Sequence, residues 1–445
     1  MSRIKHRIPT QLKNGIRIVP PAISTHECVL SLPAGPYSVM RATGNKGAVF
    51  CLGKHMERMS LSVWASLNAD TGKDAHVMPD TSMVHLSKAV ESYLKTRAAP
   101  AIDSFYSNTP KSDAPDPSEL PTDTSAASYD SELRILFHLA PKTACAEEDS
   151  TGSTFSSKKQ QILDNLSRAT PPDVSAAVPS DISQITNEIS ANQTALALMD
   201  AFDDTIHVME LPSATATDRE TTVVARAAHR SLGNIKNSSW SQQAKALEDR
   251  MLPGDDETVM VGHDCSISEG LSSNFFALLP REVCATSSTE KVVSEKLVSE
   301  KLLTEKDIDP RMSRWTLWTA REGVLLGTVR GIVLDAARSL GINVEERPPS
   351  ILTRSAWGGC AISSTSRLFR PIDTVRWAIS HAGDGVADGN DTADGTGKGT
   401  GKSTVEGTAE GEQKFDRNSE AGFVLGQLRA AVASRIGAES VPLFD

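Results

Sequence analysis

Aromatic residues make up only 5% of this 445-residue chain, and all hydrophobic types together reach 39%. A core of normal density is affordable only if polar residues are segregated, and Ser, Thr, Gly, Asp and Glu do collect in a few stretches. Six cysteines (Cys28, Cys51, Cys145, Cys265, Cys284, Cys360) are scattered, with no CxxC and no Cys/His pair at zinc spacing. That excludes a disulfide scaffold and a structural zinc site, predicts no metal, and reads as reduced thiols of an intracellular protein. No apolar run approaches the roughly 20 residues a membrane span needs. Positive charge is not in excess either: the formal net charge of −10 argues against a broad nucleic-acid or anionic-membrane surface, while leaving room for a local anion pocket. The first 19 residues, MSRIKHRIPTQLKNGIRIV, lack acids and slightly resemble an organelle transit peptide, but carry no secretory apolar region. The cytoplasm is the expected compartment, with organelle import as the alternative.

Length allows two or three domains. Leu12–Val19, Cys28–Leu32, Tyr37–Met40 and Val49–Leu52 read as short strands, with Pro33-Ala34-Gly35-Pro36 as a turn among them. A helix follows over about 53–67, with Met56, Met59, Ser60 and Val63 on one face. Polar insertions are expected near 107–131 and 143–190, too poor in apolar residues to order themselves. Between and after them Leu133–Leu139 and Thr205–Leu211 read as strands, and 212–219 as an interdomain linker. Beyond it the spacing predicts strands at Val223–Ala225, Glu257–Val261, Ile267 and Phe275–Leu279, and a helix over Ser238–Arg250. The VSEKL repeat within 291–306 marks an insertion near 286–310. Thr328–Leu340 is the clearest helix, closed by Gly341. A Gly/Thr/Asp-rich tract near 382–413 is expected to be disordered, ahead of a last amphipathic helix over 421–436. The resulting division is a small α/β domain, 1–212, and a larger domain, 213–445.

Four separated motifs suggest chemistry. In Asn234-Ile235-Lys236-Asn237-Ser238-Ser239-Trp240, a lysine stands between strand and helix, where burial lowers an amine's pKa and makes it a nucleophile toward an aldehyde. Ser268-Glu269-Gly270-Leu271-Ser272-Ser273-Asn274-Phe275-Phe276 places a carboxylate in a turn. Leu325-Leu326-Gly327-Thr328-Val329-Arg330 opens the strong helix, so the N–H groups of Thr328 and Val329 can meet an anion and Gly327 permits close approach. Ser363-Ser364-Thr365-Ser366-Arg367-Leu368 adds hydroxyls. Taken singly, each is also what a solvated lysine or an ordinary turn would show. Lys245 is a rival nucleophile, but lies mid-helix and too close in sequence to Glu269.

Together these segments resemble the class IV aminotransferases, which include branched-chain and D-amino-acid aminotransferases and aminodeoxychorismate lyase. The wording is closest to divergent eukaryotic aminotransferase-like members, and covers roughly 12–66, 132–140 and 205–378. The resemblance implies an α/β (α+β), two-domain fold type IV enzyme, interrupted by low-complexity insertions, with pyridoxal 5′-phosphate in the cleft. It implies that Lys236 carries the cofactor, that Glu269 pairs with its ring nitrogen, and that Gly327, Thr328, Val329 and Thr365 hold its phosphate. Arg58, in His55-Met56-Glu57-Arg58-Met59, is similar to a family arginine that binds the same phosphate. Tyr37 and Arg41 lie where family members line the substrate pocket. A homodimer acting on an amino acid and a keto acid is implied, with no nucleic-acid or membrane partner. Two departures leave the substrate open. The strand at Leu133–Leu139 has only Arg134 and His138, in a different register from the family's substrate-reading pattern. Ser241 stands a few residues after Lys236, where branched-chain enzymes place a tyrosine. The alternatives are a lyase of the aminodeoxychorismate kind and a non-catalytic relative that binds partners through its insertions.

Overall fold

The computed structural model describes residues 10–18, 23–43, 48–69, 78–107, 132–142, 155–168, 180–211, 219–230, 233–282, 309–379, 409–438 and 440–443. Strand β1 (Thr10–Lys13) and β2 (Ile16–Ile18) form a hairpin, where one strand over Leu12–Val19 was expected. Asn14 and Gly15 explain it, for both adopt the positive φ that a tight two-residue turn requires. Helix α1 (Thr25–Ser31) replaces the strand expected at Cys28–Leu32. Its start is a reciprocal cap: the Glu27 N–H donates to the Ser24 hydroxyl, and the Ser24 N–H donates to the Glu27 carboxylate at 2.7 Å. That local pairing decides helix over strand for a short apolar run.

β3 (Tyr37–Thr43) and β4 (Ala48–Phe50) lead through a left-handed Cys51 into α2 (Leu52–Asn68), which buries Met56, Met59, Ser60 and Val63 as their spacing predicts. Helix α3 (Asp80–Ser107) was not anticipated, although Leu86, Val90, Tyr93 and Leu94 recur at helical intervals and are fully buried. β5 (Leu133–Pro141) and β6 (Phe202–Glu210) match the expected strands. The polar stretch at 143–190 contributes ordered structure: α4 (Phe155–Arg168) buries Ile162 and Leu166, and α5 (Ser180–Ala201) begins within it. Two inward apolar positions suffice to dock an otherwise hydrophilic helix. Of the tracts expected near 107–131, 212–219 and 286–310, residues 108–131, 212–218 and 286–308 lie outside the described residues.

The second half supplies β7 (Thr222–Ala227), α6 (Ser239–Glu248), β8 (Glu257–Val261), β9 (Ile267–Gly270), β10 (Asn274–Pro280) and β11 (Trp315–Trp318). Helix α7 (Thr328–Ser339) follows, then β12 (Asn343–Glu345), β13 (Gly359–Ser364), β14 (Leu368–Ile372) and β15 (Thr374–Ile379). β16 (Ala409–Lys414) pairs with β15, so the end of the tract expected to be disordered, 409–413, is strand; the remainder, 380–408, is outside the described residues. Helix α8 (Glu420–Ala438) and β17 (Ser440–Val441) complete the chain's described elements.

Two sheets result. Among the described residues, the first has the order β17-β4-β3-β5-β6-β1-β2 and is antiparallel throughout. It packs on α2, α3, α4 and α5 around Met56, Tyr93, Phe105 and Phe137. The second runs β12-β11-β10-β9-β8-β7-β15-β16, with β13 and β14 added through β10, and its β8, β7 and β15 are mutually parallel. Helices α7 and α8 bury Ile332, Val333, Val424 and Leu428 against it. The fold is thus the mixed α/β arrangement expected. β17 crosses back from the second half to pair with β4.

Candidate active site

Lys236 stands on the segment that joins β7 to α6. Four hydrogen bonds fix that segment to the first half of the chain. The Tyr37 N–H donates to the Lys236 carbonyl (3.2 Å), the Ser238 N–H to the Gly35 carbonyl (2.9 Å), the Gly35 N–H to Ser238 Oγ (3.0 Å) and the Lys236 N–H to Ser62 Oγ (3.1 Å). Gly35 is required here, because a Cβ on it would lie 2.1 Å from the Leu139 carbonyl oxygen. The Lys236 amine projects over the Tyr37 ring, 4.6 Å from its centroid, and opens into a cavity of about 530 Å³. Its side chain keeps some surface toward that cavity while protein surrounds it elsewhere. Burial lowers its pKa from the ordinary lysine value, with Arg58 and Arg230 acting in the same direction and Tyr37 opposing them. The rival Lys245 is exposed on α6 and pairs with Asp249 one turn on.

Glu269 ends β9 on the same cavity, 2% exposed. One oxygen accepts the Leu325 N–H at 3.1 Å, and the other faces Arg230 Nη1 at 3.5 Å. Burial raises its pKa to about 7, against the pull of Arg230, the Leu325 N–H and Lys236. A carboxyl poised there can take or yield a proton, or accept a charged donor, near neutral pH.

At the other end, α7 begins at Gly327 without a side-chain cap, leaving its first turn with the N–H groups and positive dipole that suit an anion. Thr328 Oγ1 lies 3.5 Å from Thr365 Oγ1, which reaches in from the β13–β14 turn. Ser363 Oγ beside it is buried without a partner. Arg58 on α2 donates to Ser38 Oγ at 3.2 Å and approaches His55 Nδ1 at 3.1 Å, while its Nε is buried and unpartnered. Burial lowers its pKa to about 10, opposed by Tyr37 and reinforced by Arg230. An arginine without a carboxylate among the described residues is available to an incoming anion.

The fold therefore brings Tyr37, Arg58, Lys236, Glu269, Gly327, Thr328, Val329 and Thr365 to one cavity. Arg41 stands apart. Its guanidinium pairs with Glu132 and donates to the Ser366 carbonyl, and it does not line the cavity. Arg230 and Arg134 are among the cavity arginines that were not singled out as site residues. Arg230 is joined to Glu269, donates to the Ile235 carbonyl at 2.7 Å and lies 5.0 Å over the Trp240 ring. No local pattern marks it, since only the turn toward Lys236 brings it inward. Arg134 on β5 also faces the cavity, with Nε buried and unpartnered. Period-two alternation alone would have put it on the Tyr37 face of the sheet, because it pairs opposite Arg41.

Residues 188–375 match the model of the amino-transferase class IV family. That match spans less than half of the chain and makes the matched stretch similar to the class IV aminotransferases. The matched stretch contains Lys236, Glu269, Thr328 and Thr365; Tyr37 and Arg58 precede it. Class IV members use pyridoxal 5′-phosphate, and the amino-group transfer expected from the sequence is the activity of this family. No curated protein matches the chain. Similar solved structures include a hypothetical aminotransferase from Mycobacterium tuberculosis in its PLP-bound form, 10% identical, covering 96% of this chain and 99% of the other at a TM-score of 0.45. A fold IV-transaminase, CpuTA1, from Curtobacterium pusillum is 12% identical over 97% and 99%, TM-score 0.46. A branched-chain aminotransferase from Thermoproteus uzoniensis, with norvaline, is 13% identical over 98% and 99%, TM-score 0.44. Likenesses this distant add no weight, and the assignment rests on the family match. No helix among the described residues is long and apolar enough to cross a membrane, and no cluster of metal-ligating side chains occurs among them.

Proposed function

We propose that this chain is a class IV aminotransferase that moves an amino group between an amino acid and a keto acid at the cavity shared by Lys236 and Glu269, using pyridoxal 5′-phosphate. The observation that carries the reading is the short path from the acid to the helix end: Glu269 accepts the Leu325 N–H, and two residues later Gly327 opens α7. One rigid segment thus spaces a buried carboxyl from an anion-binding helix terminus. The residues fit the cofactor. A Cβ at Gly327 would fill the cradle, lying 2.3 Å from Asn274 Oδ1, and the buried Ser363 Oγ and Arg58 Nε lack partners that a phosphorylated ring would provide.

When bound, pyridoxal 5′-phosphate supplies an aldehyde and an electron-withdrawing ring. Lys236, its proton affinity lowered by burial, would hold the group through its amine and would move a proton to and from the substrate's α-carbon. Glu269 would hold a proton at the ring nitrogen, and Arg58, Thr328, the Val329 N–H and Thr365 would bind the phosphate. Arg134, which lines the cavity where Arg41 does not, would receive a substrate carboxylate. The same reading has two domains, 1–212 and 213–445, and a cytoplasmic homodimer.

The test is to add pyridoxal 5′-phosphate, reduce with borohydride and map the labelled peptide. Label at Lys236 and none in Lys236→Ala supports the proposal; a stable adduct at another lysine overturns it. Amino transfer to a panel of keto acids, set against pyruvate release from aminodeoxychorismate, separates transferase from lyase.

A further inference from the structure

The amine of Lys236 must shed a proton and regain it, and its surroundings offer few groups able to take one. Glu269 is engaged by Arg230 and the Leu325 N–H. His55 has its Nδ1 against Ser38 and Arg58 and is held neutral by burial, its pKa well below the ordinary value. Tyr37 remains. Its ring lies 4.6 Å from the amine, and its hydroxyl reaches Ser241 Oγ at a long 3.4 Å, so the phenol is not saturated by that contact. Lys236 and Arg230 from the β7–α6 segment, Arg58 from α2 and Ser241 from α6 present cations and a hydroxyl to it. Helix α1 and its C-cap pack Cys28, Val29 and Leu32 on it, and β5 sets Leu136 and His138 beside it, the histidine's pKa lowered by burial to about 4. Glu269 on β9 is paired with Arg230.

We propose that Tyr37 is the proton partner of Lys236: the phenol, carried by β3 and steadied by Ser241, holds the proton that the amine gives up. This rests on the function proposed above and assigns Tyr37 a role beyond lining a pocket. The exchange is balanced, since a proton passes from the Lys236 ammonium to the Tyr37 phenolate and leaves a neutral amine and a phenol. Tyr37 is a positioning residue, acting through Lys236. Burial would raise its pKa, but Lys236, the Ser241 hydrogen bond and Arg230 together lower it, while burial lowers that of Lys236. Both groups thus hold their protons less tightly than usual, and each is charge-coupled to the other. The arrangement also places a phenol beside Ser241, at the point where the chain has no tyrosine after its lysine.

Cofactor-free wild type, Tyr37→Phe and Lys236→Met allow the pair to be titrated from both sides. Acetylation of Lys236, read by peptide mass against pH, gives the amine midpoint; ultraviolet difference absorbance against Tyr37→Phe gives the phenol midpoint. The phenol raises the amine's proton affinity, so Tyr37→Phe is expected to lower the Lys236 midpoint by about one unit, a roughly tenfold faster reaction at fixed pH. By linkage Lys236→Met raises the Tyr37 midpoint by a similar amount. Midpoints that ignore each other overturn the proposal, and the Lys236→Met arm decides it if Tyr37→Phe fails to fold. In the cofactor-loaded protein, the pH midpoint of the cofactor's absorbance must also shift in Tyr37→Phe, and an unchanged midpoint overturns the proposal. Failure of wild type to bind the cofactor, with the coupling intact, sinks the proposed function instead.

Discussion

Gly327 and Asn274 stand so close that a Cβ on residue 327 would lie 2.3 Å from the Asn274 side-chain oxygen. Asn274 in turn donates to the Leu325 carbonyl at 2.7 Å, pinning the segment that enters α7. Gly327→Ala must push the asparagine or the helix's first turn aside, an overpacking cost of about 1–3 kcal/mol. The expected outcome is a lower melting temperature together with pyridoxal 5′-phosphate binding weakened about tenfold or more, in keeping with about 1.4 kcal/mol per decade. Equilibrium binding that stays at wild-type strength would mean the cradle is elsewhere.

Glu269 should leave a signature in stability against pH. Its folded pKa of about 7 exceeds the ordinary 4.5, so the folded protein keeps a proton that the unfolded chain has released. Stability therefore falls as pH rises from about 4.5 to about 7, and the loss is complete above that window, on the order of 3 kcal/mol. In the cofactor-free protein, Glu269→Gln removes this decline. Denaturant midpoints collected across the window check it, and identical profiles for wild type and variant would contradict it.

Arg134 is a half-buried cation whose Nε is buried without a partner, and burial with nearby Arg367 and Arg41 lowers its pKa to about 10. Replacing it by methionine removes a costly unpaired charge, so thermal stability is expected to hold or rise. Losing a charge-assisted contact to a substrate carboxylate, worth about 1.5–3 kcal/mol, raises KM about tenfold or more with kcat little changed. Steady-state kinetics on keto acids provide the readout. An unaltered KM would remove Arg134 from substrate recognition.

Arg41 is expected to behave in the opposite way. Its guanidinium, 4% exposed as a side chain, pairs with Glu132 and reaches the Ser366 carbonyl. Arg41→Met strands the carboxylate and is expected to cost about 3 kcal/mol of stability, seen by denaturant unfolding. KM is expected to stay near the wild-type value in protein that remains folded; a large rise in KM without destabilisation would return Arg41 to the substrate pocket.

The sequence made the second half of the fold more legible than the first, for physical reasons visible in particular residues. Val329, Ile332, Val333, Ala336 and Ala337 repeat at helical spacing and bury together on α7. β8 and β10 bury almost every side chain, and their continuous apolar runs announce them. Cys28–Leu32 misled because five apolar or small residues suit either strand or helix, and the deciding contact lies just upstream, at Ser24 and Glu27. Helix α4 was hidden because, among its described side chains, only Ile162 and Leu166 are buried apolar positions. Within the site, residues set by a motif were visible in advance. Arg230 and the Tyr37–Ser241 contact were not, because 203 or more positions of chain separate some of the groups that meet there, as Gly35 and Ser238 illustrate.

The four hydrogen bonds between the Lys236 segment and residues 35–37 and 62 have a consequence for turnover. The backbone beneath the amine belongs to one half of the chain by sequence and to the other by attachment. Any breathing motion wide enough to part the halves must first snap those links and swing the amine off its aim. On the proposed function, an opening wide enough to admit water also carries the proposed nucleophile out of position.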